Sequence, residues 1–217
     1  YRVTLEDTAA ADTSADDLAD ATLSAVIESL GTTTGGDGSA VTEGAVEVRV
    51  EESVGALYTL VDSVGDADAA AAEVLAATEP PLCEGTITCF VKAAVDGAAT
   101  REGRGRALSD ELTLLLSVDR TYCRVGPSDV CDDVAPVPLT DATFAELDPS
   151  AAVTFDAIEN RDLAVQAVVS GVGASAEEVV DGASVADMTA EKLGIDNDAV
   201  EVTTDLLYPP ALPPALP

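Results

Sequence analysis

The chain has no histidine, no tryptophan, a single methionine (Met188) and only two lysines, Lys92 and Lys192. Each shortage excludes something. Without histidine, Ser-His-Asp and Cys-His nucleophile systems are ruled out, and most transition-metal sites lose their commonest ligand. Ten bases stand against 41 acids, a net charge of −31. There is then no basic face to neutralise phosphate, so nucleic acid is excluded as a partner and anionic membrane surfaces are disfavoured. No run of about 20 apolar residues occurs, so no transmembrane helix or membrane insertion is expected. Three Phe and four Tyr leave a core to be built mainly from Ala, Val and Leu, which suits β-sheet and closely packed helices.

Acid excess with scarce lysine fits adaptation to high salt, cation binding or a heavily solvated exterior. Both asparagines, Asn160 and Asn197, lack the N-x-S/T pattern, so any glycans are expected to be O-linked. The chain opens at Tyr1, which reads as a processed product or a segment of something longer. With 47% hydrophobic residues in 217, there is enough apolar material for one large domain or two small ones.

All four cysteines fall between Leu82 and Val134. Thr86–Val91 and Thr121–Val125 both read as strands, rich in β-branched and aromatic residues. If they pair antiparallel, Cys89 faces Cys123, and Cys83–Cys131 closes around that pair. Four cysteines allow three connectivities, so the nested pattern is one expectation among them. Zinc ligation and free buried thiols are the rivals; the C-x5-C and C-x7-C spacings are not those of zinc knuckles. Disulfides imply an oxidising compartment and hence a secreted or cell-surface protein.

Along the chain, Tyr1–Leu5 alternates as a short strand. Ser14 caps a helix carrying Leu18, Leu23, Val26, Ile27 and Leu30, with Gly31 as its natural stop. Ala45–Val50 alternates as a strand, and Val54–Val61 follows as another after a turn near Gly55. Asp66–Ala77 is an alanine-rich helix ended by Glu79-Pro-Pro81. Thr86–Val95 is a strand. Ser109 caps a second apolar helix through Leu112, Leu115, Leu116 and Val118. Pro127–Pro149 reads as a long surface segment. Val153–Ile158 and Leu163–Val169 form a hairpin turning at Asn160–Asp162. Ala174–Asp181 and Met188–Leu193 are short helices, the second closed by Gly194, and Ala199–Thr204 is a last strand.

This order predicts an α+β fold of two small ferredoxin-like (βαββαβ-type) modules with antiparallel sheets, stapled by disulfides. The expected division is 1–79, then 82–208 with the disulfides, then a tail at 209–217. A single mixed domain is the rival. The tail, Pro209-Pro-Ala-Leu-Pro-Pro-Ala-Leu-Pro217, favours polyproline II; it reads as a linker, a docking strut or the start of a stalk.

Few motifs carry chemistry. Carboxylates are too abundant for any pair to stand out as acid and base. Asp196-Asn-Asp198 and Gly35-Gly-Asp-Gly38 resemble calcium loops but lack the 12-residue pattern with its terminal Glu, which leaves room only for adventitious calcium. No dedicated cofactor or metal site is expected. Arg101, Arg104 and Arg106 put three of the ten bases within six residues. Beside a solvated loop, they offer bidentate contacts to an acidic surface, most simply another copy of the chain in a head-to-tail polymer.

Ala190-Glu-Lys-Leu-Gly-Ile-Asp-Asn-Asp-Ala-Val-Glu-Val202, followed by Tyr208-Pro-Pro210, resembles repeat modules of secreted algal and protist surface glycoproteins. In these a helix ends in Leu-Gly-Val/Ile, an acidic turn follows, then Val-x-Val strands and proline-rich linkers. The resemblance implies a non-enzymatic structural role in cell wall, scale, mastigoneme or fibril material. It also implies hydroxylation and O-glycosylation at Pro209, Pro210, Pro213 and Pro214, and O-glycans on Thr32, Thr33 and Thr34. Two other readings stand beside it. Tyr1-Arg-Val-Thr-Leu-Glu-Asp7 before a helix looks like the opening of subtilisin-type prodomains, which implies a proteinase propeptide or inhibitor. The third is a calcium- or salt-dependent adhesion domain.

Overall fold

The computed structural model describes residues 2–5, 13–33, 46–60, 67–96, 113–126, 131, 134–147, 153–169 and 182–204. Its elements, in chain order, are β1 (Arg2–Leu5), α1 (Ala15–Thr33), β2 (Val46–Leu60), α2 (Ala67–Cys83), β3 (Thr88–Asp96), β4 (Thr113–Val125), α3 (Asp141–Glu146), β5 (Val153–Val169), α4 (Gly182–Leu193), a 3-10 turn (Asn197–Ala199) and β6 (Val200–Thr203). The fold is α+β. One sheet runs in the order β3-β4-β2-β5-β1-β6, and every neighbouring pair is antiparallel. The sheet is continuous across the boundary expected at Glu79–Pro81, because β2 pairs with β4 on one side and with β5 on the other.

Two long strands, β2 and β5, carry the architecture. On β2, Val46, Val48, Val50, Val54, Ala56, Tyr58 and Leu60 are all buried, and their period of two puts them on one face. The first three pack with α1, α4 and Leu163, Val165 and Ala167 of β5. The last four pack with Ala70, Ala71, Val74 and Leu82 of α2, Phe144 of α3, and Leu114, Leu116 and Val118 of β4. Two cores thus share one sheet face and the same two strands. The second core holds three aromatics: Phe155 meets Tyr58 edge-on at 5.5 Å and stacks on Phe144 at 6.0 Å. The Tyr58 hydroxyl donates to the Phe144 carbonyl at 3.2 Å, so its buried polar end is satisfied.

Helix starts follow the local chemistry. Ser14 caps α1: the Asp17 N–H donates to Ser14 Oγ at 3.0 Å, and Ser14 Oγ donates back to Asp17 Oδ2 at 2.6 Å. Thr140 does the same for α3, accepting from the Thr143 N–H at 3.3 Å. Gly194, at φ +69°, ends α4 in the left-handed region, as a C′ glycine should.

Several expectations are corrected. The two strands expected either side of Gly55 are one strand, β2, and the hairpin expected at Asn160–Asp162 is one strand, β5. Gly55 is not a turn; the Asn160 side chain lies over the space a Cβ would fill. The pairing slips between Gly55 and Ala56 and again between Leu57 and Tyr58, so β5 absorbs its polar interruption as bulges. From Thr113 on, the helix expected through Leu112–Val118 is instead the first half of β4. Leu112, Leu115 and Leu116 fit a helix, but Leu114, Leu116, Val118 and Tyr122 fit a strand, and pairing with β2 from Thr113 to Val125 decides it. Pro80 and Pro81 do not stop α2 but form its last turn, held by buried Leu82 and by Cys83. Helix α1 runs past Gly31 to Thr33. The expected helix at 174–181 and the tail at 209–217 lie outside the described residues.

The disulfides are present, but the nested pairing is not. Cys83 bonds Cys89, and Cys123 bonds Cys131, with Cα–Cα distances of 5.4 and 5.1 Å. Strand register explains this. β3 and β4 pair as expected, but Cys89 stands opposite Arg120, three residues from Cys123. Residues directly opposite share a face, and an odd offset reverses it, so Cys89 and Cys123 point to opposite sides of the sheet. Each cysteine therefore finds a partner within its own short loop.

Candidate functional site

The inward face of β2 is apolar from end to end except at its middle. There Glu52 stands directly opposite Arg120 of β4, and Arg161 of β5 is opposite Val54, one inward position along. The Glu52 and Arg120 side chains are each 1% exposed and Arg161 13%. Arg120 donates from Nε (3.1 Å) and Nη2 (2.7 Å) to Glu52 Oε2, and Arg161 donates from Nη2 to Glu52 Oε1 at 2.9 Å. Such charge-assisted bonds are the strong kind, and both carboxylate oxygens are used.

Arg120 is held twice more. Its Nη1 donates to the Leu82 carbonyl at 3.1 Å, in the last turn of α2, where the helix dipole favours a cation. Its guanidinium carbon lies 5.4 Å from the centre of the Tyr122 ring. Burial, and then the Glu52 carboxylate, push the Tyr122 hydroxyl well above the ordinary phenol range, so it stays protonated at neutral pH.

The triad sits at the floor of a cleft of about 420 Å³. The start of α1 (Thr13–Asp16) forms one wall and the segment from Val134 to Thr140 the other. Arg124 lines the rim, where it pairs with Asp16 at 3.0 Å and Asp20 at 3.7 Å. Chemically the floor is cationic: two guanidinium groups against one carboxylate. The Arg161 Nε–H is buried and has no acceptor among the described residues.

Among the described residues the exposed large apolar side chains are Ile87, Phe90, Val134 and Val137; Phe90, opposite Asp119, is on the sheet face away from the cleft that Val134 lines. Gly85, at φ +73°, brings the two segments together, for an added Cβ would meet the Val134 carbonyl. Phe90, 63% exposed, is on the edge strand β3.

Of the residues singled out from sequence, Cys83, Cys89, Cys123 and Cys131 gather at this end of the sheet. Arg101, Arg104 and Arg106, Thr34, Pro209, Pro210, Pro213 and Pro214 lie outside the described residues. Thr32 and Thr33 belong to the last turn of α1. No cluster of three or more acidic or cysteine side chains placed to hold a metal occurs among the described residues, and no helix among them is long and apolar enough to cross a membrane. The Glu52–Arg120–Arg161 triad was not anticipated. Its signal was an acid at an inward position of β2 and a base at an inward position of β4. Comparison of the chain with protein-family models, characterised proteins and solved structures finds no match.

Proposed function

We propose that this chain is a secreted, non-enzymatic structural subunit that assembles with copies of itself into an extracellular, O-glycosylated filament or fibril. One observation carries the reading: Phe90 stands 63% exposed on the edge strand β3, next to the Cys83–Cys89 disulfide. A short covalent loop holds this apolar edge in a fixed shape without a large core beneath it. A chain of net charge −31 repels its own copies, so contact between them requires an apolar patch or the Arg101–Arg106 loop.

The sheet is read as two interlocked ferredoxin-like units. β1-α1-β2-β5-α4-β6 takes the order β6-β1-β5-β2, and β2-α2-β3-β4-α3-β5 takes the order β5-β2-β4-β3. They share β2 and β5, which supports a stiff, elongated building block over two jointed modules. The polyproline tail and the Thr32–Thr34 segment are its glycan-bearing parts.

Electron microscopy of native material, with intact mass on the same sample, tests the reading. Filaments that lengthen as salt screens the acidic surfaces, and a mass above 21.9 kDa, are expected. Replacing Phe90 by Ser shortens them. Monodisperse monomers at the bare mass at every salt concentration refute it.

A further inference from the structure

We propose that the free edge of β3 pairs with the same strand of a second copy, antiparallel, about a two-fold axis at Val91. The inference rests on the self-association proposed above and names its contact. β3 is the last strand of the sheet, with β4 on one side and no neighbour on the other among the described residues. Alternate residues of such a strand leave backbone N–H and C=O groups facing outward, a template for another strand. Edges are usually blunted by shortness, proline, bulges or charge. β6, at the opposite edge, is four residues long with Glu201 exposed. β3 runs for nine residues, Thr88–Asp96, holds no proline or glycine, and pairs with β4 without a register shift. Lys92 and Asp96 are its only charges and cancel, in a chain of net charge −31. The strand therefore offers a neutral approach between two strongly acidic molecules. It is also held ready. Val91, Ala93 and Val95 pack inward on the second core, and the Cys83–Cys89 disulfide ties the strand's start to the end of α2. Little ordering remains to be lost on pairing.

Symmetry and charge select the register. A two-fold axis across an antiparallel edge keeps both helix layers on one side, so outward residues oppose outward residues and each contact occurs twice. Thr88, Phe90, Lys92 and Ala94 are all exposed. Full overlap of the two strands centres on Lys92 and sets it against itself, which like charge disfavours. Centring on Ala93 sets Lys92 against Ala94 and Phe90 against Asp96, with no favourable pair. Centring on Ala94 joins Lys92 to Asp96 but overlaps only from Lys92 to Asp96. Centring on Val91 pairs Thr88–Ala94 of each copy. It sets Lys92 against Phe90 twice, a cation beside an aromatic ring, with Val91 against Val91 on the inner face. Phe90, exposed in the single chain, then gains a partner. The contact is isologous and closes at two copies, so a filament grows from such dimers through a second contact.

The test is sedimentation equilibrium of the intact chain over a concentration series at low and high salt, with hydrogen exchange read in parallel. Twice the single-chain mass is expected, favoured at high salt where the acidic surfaces are screened. The β3 amides gain protection as concentration rises. Variants at exposed side chains then fix the register. Phe90→Lys sets lysine against lysine twice and weakens dimerisation about tenfold or more. Phe90→Glu sets a carboxylate against Lys92 and keeps the dimer, although it removes the apolar side chain and adds negative charge. Phe90→Lys combined with Lys92→Glu restores it. Contact through a merely apolar patch loses the dimer in all three. Should a variant fail to fold, the exchange measurement on the unaltered chain stands alone. Monomers at every concentration and salt, β3 amides as unprotected in the dimer as in the monomer, or loss of the dimer in Phe90→Glu as in Phe90→Lys each overturns the proposal. Filaments whose β3 exchanges freely overturn this contact and leave the filament reading standing. Dimers with protected β3 and no filaments uphold the contact and overturn the filament.

Discussion

Glu52→Gln is the sharpest perturbation of the fold. The substitution keeps the side-chain volume, so no cavity forms, and removes only the charge. Three charge-assisted hydrogen bonds, at 3.1, 2.7 and 2.9 Å, are weakened together. The excess buried charge rises from one to two. Breaking a buried pair by removing one partner costs about 3–5 kcal/mol. For a chain of this size each kcal/mol is worth about 2–4 °C, so the melting temperature falls by roughly 10 °C. Urea denaturation with the disulfides intact measures the loss directly. Glu28→Gln is the control: its pair with Lys192 at 3.3 Å is largely exposed, and such pairs contribute at most about 1 kcal/mol. Arg161→Met supplies the cycle. It destabilises the wild type but relieves repulsion in the Glu52→Gln background, giving a coupling of about 1 kcal/mol or more. Equal losses in Glu52→Gln and Glu28→Gln, or additive single variants, would refute the electrostatic account.

Non-reducing peptide mapping is expected to recover Cys83–Cys89 and Cys123–Cys131, and a Cys89–Cys123 peptide would contradict the strand register. Replacing either pair by Ser costs about 2 kcal/mol in the chain-entropy account, because the closed loops are short, as urea titration will measure. Thr22 and Thr189 carry buried hydroxyls without partners among the described residues, so Thr22→Val and Thr189→Val should each stabilise by about 1 kcal/mol; destabilisation in urea would show that the hydroxyls are satisfied. Tyr122 is a phenol whose folded pKa is raised above its unfolded value of about 10. Its contribution is therefore present in full below about pH 10 and lost as pH rises beyond it. Melting curves from pH 8 to 11 should fall less steeply for Tyr122→Phe than for the wild type, and parallel curves would remove Tyr122 from the account.

Much of the local structure was legible in the residues, and the reasons are specific. Ser14 before two acids announced the start of α1, and the alternation of Val46, Val48 and Val50 announced the first half of β2. What failed was continuity. A strand reader stops at Glu51-Glu52-Ser53 and at Gly55, because polar runs and glycine usually mark turns. The sheet overrides that reading, since β2 lies between two partners that satisfy its backbone on both edges. Stopping at Val50 also hid the triad. Extended by two residues, the same alternation puts Glu52 inside, and a buried acid demands a buried base. Arg120 was hidden in turn because its strand was split by a false helix, Leu112–Val118, whose leucines fit both periods. The disulfide pairing needed register, which depends on which residue opposes Cys89 and not on cysteine spacing.

The position of the triad answers a problem that apolar patterning cannot. β2 and β4 both present inward residues at every second position: Val50, Glu52 and Val54 against Tyr122, Arg120 and Val118. A one-residue slip would turn an apolar face to solvent and is rejected strongly. A two-residue slip keeps every apolar residue inward, so hydrophobic burial barely distinguishes it. Glu52 does, for a slip of two in either direction sets its carboxylate against Tyr122 or Val118 and leaves the buried Arg120 guanidinium without its acceptor. The misregistered sheet then carries the uncompensated buried charges whose cost is several kcal/mol. Replacing all three residues by Leu and Met of similar volume can therefore restore stability without restoring a unique register. Hydrogen exchange along β4 would reveal two protection patterns where the native chain has one. The two cores share β2, so an error in its register would misplace both at once, and the charged triad stands at the point where they meet.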